Sequence, residues 1–170
     1  MASPRVLVAY SSRNRSTSEI ASWIGAGMRD RGLHPDISAA EDVKDLSPYD
    51  AVVLGSALYV GRWRRGANSF ARRHHHELVR VPVWLFSSGP LDLSAARSEL
   101  PPPPQVARLA KRLGAEEHRT FGGRLTDGAT GFLAGQMLKE RMGGDFRNQQ
   151  EIRAWGREIA AALLAARERI

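Results

Sequence analysis

Three short, almost uninterrupted apolar runs constrain this chain more than any other feature. They are Arg5–Tyr10, Ala51–Gly55 and Val81–Phe86. A strand with one wet face alternates apolar and polar side chains. A run without that alternation belongs in a strand covered on both faces. The stretches between the runs repeat with a helical period. Ser16–Arg31 puts Ile20, Trp23, Ile24 and Met28 on one stripe, and Gly32 stops it. Trp63–Leu78 reads as a basic helical segment, and Gln105–Leu113 as a helix closed by Gly114. Thr130–Met142 reads as helical and ends at Gly143 and Gly144. Glu151–Arg169 lines up Ile152, Trp155, Ile159, Leu163 and Ala166 on one face. Two weaker strands are predicted at His34–Ser38 and Glu117–Phe121.

Strands that alternate with helices imply a parallel sheet with helices on both faces, joined by right-handed crossovers. Five strands in 170 residues suit an α/β three-layer sandwich with a five-stranded parallel sheet of order 2-1-3-4-5. No repeat or composition break divides the chain, so residues 1–170 are expected to form a single domain. Pro101–Pro104 cannot enter a helix interior and is read as a stiff lead into the following helix.

Composition narrows the chemistry. There is no cysteine, which excludes disulfides and thiol catalysis. No apolar run approaches the ~20 residues of a membrane span, so a soluble, cytoplasmic protein is expected. The net charge of +7 comes from arginine, since Lys44, Lys111 and Lys139 are the only lysines. A basic balance points to anionic partners or to a solubilising surface. The densest cluster is Arg62, Arg64, Arg65, Arg72, Arg73 and His74 to His76. It suits a carboxylated substrate, an acidic redox partner or a peripheral anionic membrane contact, or else it is a solvated helix face. Nucleic acid is not expected. Consecutive helical histidines point about 100° apart and cannot share one ion, so no metal site is expected.

In an open parallel sheet, ligands lie beyond the carboxyl ends of the strands. That rule brings three loops together: Ser11–Thr17, Ser56–Trp63 and Ser87–Asp92. Ser16 and Glu19 have the spacing of a capping box, so the first loop should open a helix at Ser16. Helix N-termini favour bound phosphate, and Ser11, Ser12, Arg13, Asn14, Arg15, Ser16 and Thr17 supply hydroxyls, an amide and two guanidinium groups. An ordinary, well-capped strand–helix connection has the same sequence. Tyr59 and Trp63 fit either a stacked heterocycle or core packing, whereas Trp23, Trp84 and Trp155 are assigned to the core. Asp92, Asp127 and Asp145 form no acid–base pair in sequence, and Asp145 reads as a turn or cap ahead of the last helix. Catalytic residues are not legible, so any redox chemistry belongs to a cofactor.

Val6 to Ser12 followed by Ser16 to Ala21, Val53 to Trp63 with Phe70 to His74, and Phe86 to Leu91 resemble the ligand loops of flavodoxins. More closely than to flavodoxins at large, the chain is similar to the flavodoxin-domain family that includes menaquinone-dependent protoporphyrinogen oxidases. Phe121 to Leu125 and Gly143 to Arg147, ahead of Ile152 to Trp155, resemble C-terminal signatures of its actinobacterial-type members. The resemblance covers nearly the whole chain and implies a flavodoxin-like fold with non-covalent FMN. Ser11, Ser12, Asn14, Arg15, Ser16 and Thr17 would surround the phosphate. Ala57, Leu58, Tyr59, Val60 and Gly61 would pass one edge of the ring, and Ser87, Ser88, Gly89, Pro90 and Asp92 the other. Val60 and Gly61 occupy the place of a peptide that reorients with redox state. Flavodoxin loops carry a glycine two residues before the threonine, where this chain has Arg15. That arginine either supplies charge-assisted hydrogen bonds or blocks the loop.

The implied function is an FMN-dependent oxidoreductase, quinone-coupled and protoporphyrinogen-oxidase-like, acting on a quinone or porphyrin-like substrate. The alternatives are an electron-transfer carrier and a flavodoxin-fold binding protein that has lost FMN. The basic charge disfavours a carrier, since such shuttles present an acidic face. Both a monomer and a homodimer are compatible with the sequence.

Overall fold

The structure is a computed structural model that describes residues 2–12, 15–89, 101–125, 144–145 and 147–169. Strand β1 (Val6–Ser11) leads into helix α1 (Ser16–Arg29), and β2 (Asp36–Ala39) follows. Strand β3 (Ala51–Tyr59) turns into the two-residue strand β4 (Arg62–Trp63). Helices α2 (Arg65–Arg73) and α3 (His75–Leu78) lead to β5 (Val83–Ser88). Helix α4 (Pro104–Leu113) precedes β6 (Glu117–Phe121). Strands β7 (Arg124–Leu125) and β8 (Gly144–Asp145) pair antiparallel, and helix α5 (Gln149–Glu168) ends the chain. The main sheet runs β2-β1-β3-β5-β6 with every pair parallel, which is the expected 2-1-3-4-5 order once the short antiparallel β4 is set aside.

Period-2 alternation splits each apolar run between two cores. Val6, Val8, Val53, Trp84 and Phe86 face α1 and α5, where they meet Ile20, Ile24, Ile152, Trp155 and Ile159. Leu7, Ala9, Val52, Leu54, Val83 and Leu85 face α2 and α4, against Phe70, Val106, Leu109 and Leu113. Each large side chain buried this way stabilises the fold by roughly 1.5–3 kcal/mol relative to exposure.

Helices α1 and α5 approach until their backbones touch, at Gly27 and Gly156. Asp30 at the end of α1 then accepts two bonds from Arg153, at 2.6 and 2.7 Å, and a third from Arg157 at 3.0 Å. The hydrogen bonds from Arg153 hold the Asp30 carboxyl well below the usual carboxylate range.

Three sequence expectations shift. The second ligand loop is no loop at its start: β3 runs on through Ser56 and Ala57 to Tyr59, and β4 pairs back onto it. Val60 and Gly61 make the two-residue turn, with φ of 52° and 71°. Positive φ at both positions matches the right-handed twist of the strands, as hairpins of this length require. The basic segment divides into α2 and α3, with His74 buried between them. The cap of α5 is Asn148, whose side chain accepts from the Glu151 amide at 3.1 Å, whereas Asp145 lies in β8. Pro103 and Pro104 do lead into α4, and Gly114 closes it at φ 64°. The helix expected over Thr130–Met142 lies outside the described residues. No helix among the described residues is long and apolar enough to cross a membrane.

Candidate functional site

The first loop ends in Arg15, which caps α1 in the left-handed region at φ 64°. This corrects the expected capping box. Ser16 is already the first helical residue, so its hydroxyl stands one position too late to cap the helix. Ser18 Oγ donates to the Arg15 carbonyl at 2.7 Å, and Glu19 meets Arg147 at 3.6 Å. Arg147 lies 4.5 Å over the Trp23 ring and donates to the Ser16 carbonyl at 3.3 Å.

The hydroxyls of Ser16 and Thr17 are thereby left over. Thr17 is fully buried and Ser16 is 7% exposed, and neither oxygen has a hydrogen-bond partner among the described residues. Leaving a buried hydroxyl unpaired costs about 1–3 kcal/mol. These two sit in the first turn of a helix, beside backbone N–H groups that have no intrahelical acceptor. Together they make the start of α1 donor-rich and electropositive, a setting suited to an anion.

Arg15 holds the conformation that glycine adopts most easily. An L-residue there costs about 1–2 kcal/mol, partly offset by the greater freedom of glycine in the unfolded chain. Arg15→Gly is therefore expected to raise stability by roughly 0.5–1 kcal/mol, read by denaturant unfolding. A variant that unfolds earlier than wild type would contradict this reading of the loop.

The second loop is fixed by a row of hydroxyls that the sheet register creates. Ser11, Ser56, Ser87 and Thr120 are partners across β1, β3, β5 and β6, and all are buried. Two consecutive residues of the hairpin are stitched to this row. Arg64 donates from Nε to Ser11 Oγ at 3.3 Å and from its backbone to Ser56 Oγ at 2.9 Å. The Trp63 indole donates to Ser87 Oγ at 2.8 Å. Ser11 also donates to Glu41 at 3.2 Å, and that carboxylate lies against Gly66 in the first turn of α2. Gln105 on α4 accepts from the Trp63 amide at 3.0 Å and donates to Asn68 at 2.6 Å. The hairpin is thus held by α2, α4 and three strands.

Ser87 Oγ also lies 2.8 Å from His118 Nε2. Burial pushes the His118 imidazole down from 6.5 to about 4, outweighing the opposite pull of Glu117. A neutral ring can accept the Ser87 proton while Ser87 accepts from Trp63. The unfolded chain binds a proton at this histidine near pH 6.5 and the folded chain only near 4. Stability from this group is complete above 6.5 and is lost as pH falls towards 4. His118→Gln should flatten the dependence of melting temperature on pH across that window. A wild-type profile as flat as the variant's would contradict the assignment.

Of the sequence-predicted residues, Ser12, Arg15, Ser16 and Thr17 gather at the start of α1, and Ala57, Leu58, Tyr59, Val60 and Gly61 lie on the hairpin. The hydroxyls of Ser11 and Ser87 are committed to the hairpin. Ser88 and Gly89 are buried at the end of β5, where the Gly89 amide donates to Phe121 at 2.8 Å. Arg13, Asn14, Pro90 and Asp92 lie outside the described residues. Trp63 is 4% exposed and belongs to the core, as do Trp84 and Trp155. Trp23 is half-buried under Arg147. The sequence placed Arg64 only in the basic cluster and offered no signal for Glu41, Gln105 or His118, because strand register and helix packing are what bring these residues to the loops.

Residues 7–149 match the flavodoxin-domain family. This chain belongs to that family. Its fold is shared with a flavodoxin from the domain Archaea, at a TM-score of 0.58 and 17% identity, covering 94% of this chain and 98% of that one. It is shared too with rubredoxin oxygen:oxidoreductase from Desulfovibrio gigas, at a TM-score of 0.63 and 14% identity, over 96% of this chain and 37% of that one. Among curated proteins, the flavodoxin-domain chain is 25% identical over 85 residues to protoporphyrinogen IX dehydrogenase [quinone] of Escherichia coli K12. That match takes in 49% of this chain and 47% of the relative, about half the length of each.

Proposed function

We propose that this flavodoxin-domain protein binds FMN and works as an oxidoreductase, quinone-coupled in the manner of protoporphyrinogen oxidases. The observation that carries the reading is the pair of buried, unpartnered hydroxyls of Ser16 and Thr17 in the first turn of α1. A phosphate there would accept from both hydroxyls and from the exposed amides. The residues present fit that group: small side chains, a helix N-terminus and a net positive flank. Ser12, Arg13, Asn14 and Arg15 would complete the phosphate site. Ala57 to Gly61 and Ser88 to Asp92 would border the ring from opposite sides. Arg64 and Trp63 orient the first of these segments, and Trp63 excludes water from beneath it. Bound FMN would supply two-electron transfer between an organic donor and a quinone. The family and the partial likeness to a quinone-dependent dehydrogenase support this class of reaction. The test is the visible spectrum of the protein, as purified and after incubation with FMN, followed by assay with a menaquinone analogue and protoporphyrinogen. A colourless protein that rejects added FMN overturns the proposal. A yellow protein inactive with both substrates overturns its quinone-coupled part.

A further inference from the structure

We infer that the α2–α4 layer is a docking face for an acidic protein. That this protein is a redox partner rests on the flavin reading above. Neither α2 nor α4 contains an aspartate or glutamate. Arg62, Arg65, Arg72, Arg108, Lys111 and Arg112 are all exposed, and none makes an ion pair among the described residues. Across the sheet the basic charge of α5 is answered: Arg153 and Arg157 share Asp30, and Arg167 meets Asp50 at 3.0 Å. Helix α5 and the α2–α4 pair therefore differ in whether their arginines are answered, although Arg29 and Arg31 at the end of α1 are also exposed and without an ion pair among the described residues.

Part of the unanswered charge stands at the hairpin, with Arg62 on it and Arg65 at the start of α2. The Asn68–Gln105 hydrogen bond joins α2 to α4, and Gln105 holds the hairpin that carries Arg62 and Val60. Val60 is 86% exposed at positive φ, a conformation that a β-branched residue rarely adopts. An apolar tip on the same hairpin as Arg62, next in the chain to the basic helix α2, matches the composition of a small, transient protein interface. Glu41, Asp42 and Asp45 on the segment packed beside α2, with Glu77 in α3, make the face predominantly rather than wholly basic. Arginine forks pair bidentately with carboxylates, and a predominantly basic face speeds encounter with an acidic partner. A bilayer fits less well. The apolar faces of α2 and α4 are spent on the core, and Val60 is the one exposed large hydrophobic residue of the hairpin.

The experiment titrates a small acidic ferredoxin, as probe, into the full chain by calorimetry, a readout that needs no flavin. Binding should weaken at least about tenfold as salt rises from about 20 mM to about 300 mM. Arg65→Glu with Arg108→Glu should weaken it at least about tenfold at low salt, and the same pair changed to Gln by less. Arg29→Glu with Arg31→Glu, on the other side of the sheet, should leave most of the affinity. No binding, or equal binding by both Glu variants, overturns the inference. So does sedimentation with phosphatidylglycerol vesicles in the absence of ferredoxin binding. A colourless protein that binds the probe at this face overturns the flavin reading alone.

Discussion

Thr17→Val is expected to melt higher than wild type without ligand and to bind FMN about 10–100-fold more weakly. The two signs have one cause. The Thr17 hydroxyl is fully buried and has no hydrogen-bond partner among the described residues. Replacing it with a methyl of the same shape removes a desolvation cost of about 1–3 kcal/mol, or a few degrees in melting temperature for a chain of this size. If the hydroxyl serves a phosphate, the bond lost is one to a charged group, about 1.5–3 kcal/mol, which sets the tenfold to hundredfold range. Riboflavin, which lacks the phosphate, provides the control: its affinity should not change. A variant that loses both ligands equally, or that melts below wild type, would remove Thr17 from the phosphate site.

Gly156→Ala tests the frame on which that site is mounted. In an isolated helix, alanine is better than glycine by about 1 kcal/mol. Here a Cβ at Gly156 would run into the Ile24 carbonyl and come within 3.2 Å of the Gly27 Cα. Those atoms are backbone, so no rotamer change relieves the clash and α1 must move away from α5. Overpacking costs about 1–3 kcal/mol and occasionally more, and this clash lies at the severe end. We expect a net loss of about 3 kcal/mol in denaturant unfolding. Gly27→Ala, which meets the Arg153 carbonyl, should cost a similar amount. The double variant should cost less than the sum, because one displacement relieves both contacts. Equal or greater stability of Gly156→Ala would mean that the helices are not in backbone contact.

The first turn of α2 and the end of β1 are joined through Arg64 and Glu41, both of which meet Ser11. Arg64 is the cap of α2, and its side chain reaches Ser11 at the end of β1.

The sequence by itself determined the strand–helix alternation and the strand order, and it marked the loops after the first, third and fourth main strands as candidates for a ligand. Each follows from apolar periodicity and from glycine and proline at element ends, and both are local properties of a chain. It also determined which hydroxyls could meet an anion at the start of α1. It could not settle which hydroxyls remain available. Ser11 and Ser87 carry the same chemistry as Ser16 and Thr17, yet Arg64 and Trp63 claim the first two and nothing described claims the second two. Register decided that, by placing Ser11, Ser56 and Ser87 side by side across three strands far apart in the chain. Tertiary packing likewise decided the contact of Gly27 with α5, the neutral state of His118 and the split between paired and unpaired arginines. A hydrogen bond, a close approach or an ion pair depends on what stands within a few ångströms. In a parallel sheet those neighbours come from distant segments, joined only after the strands have paired.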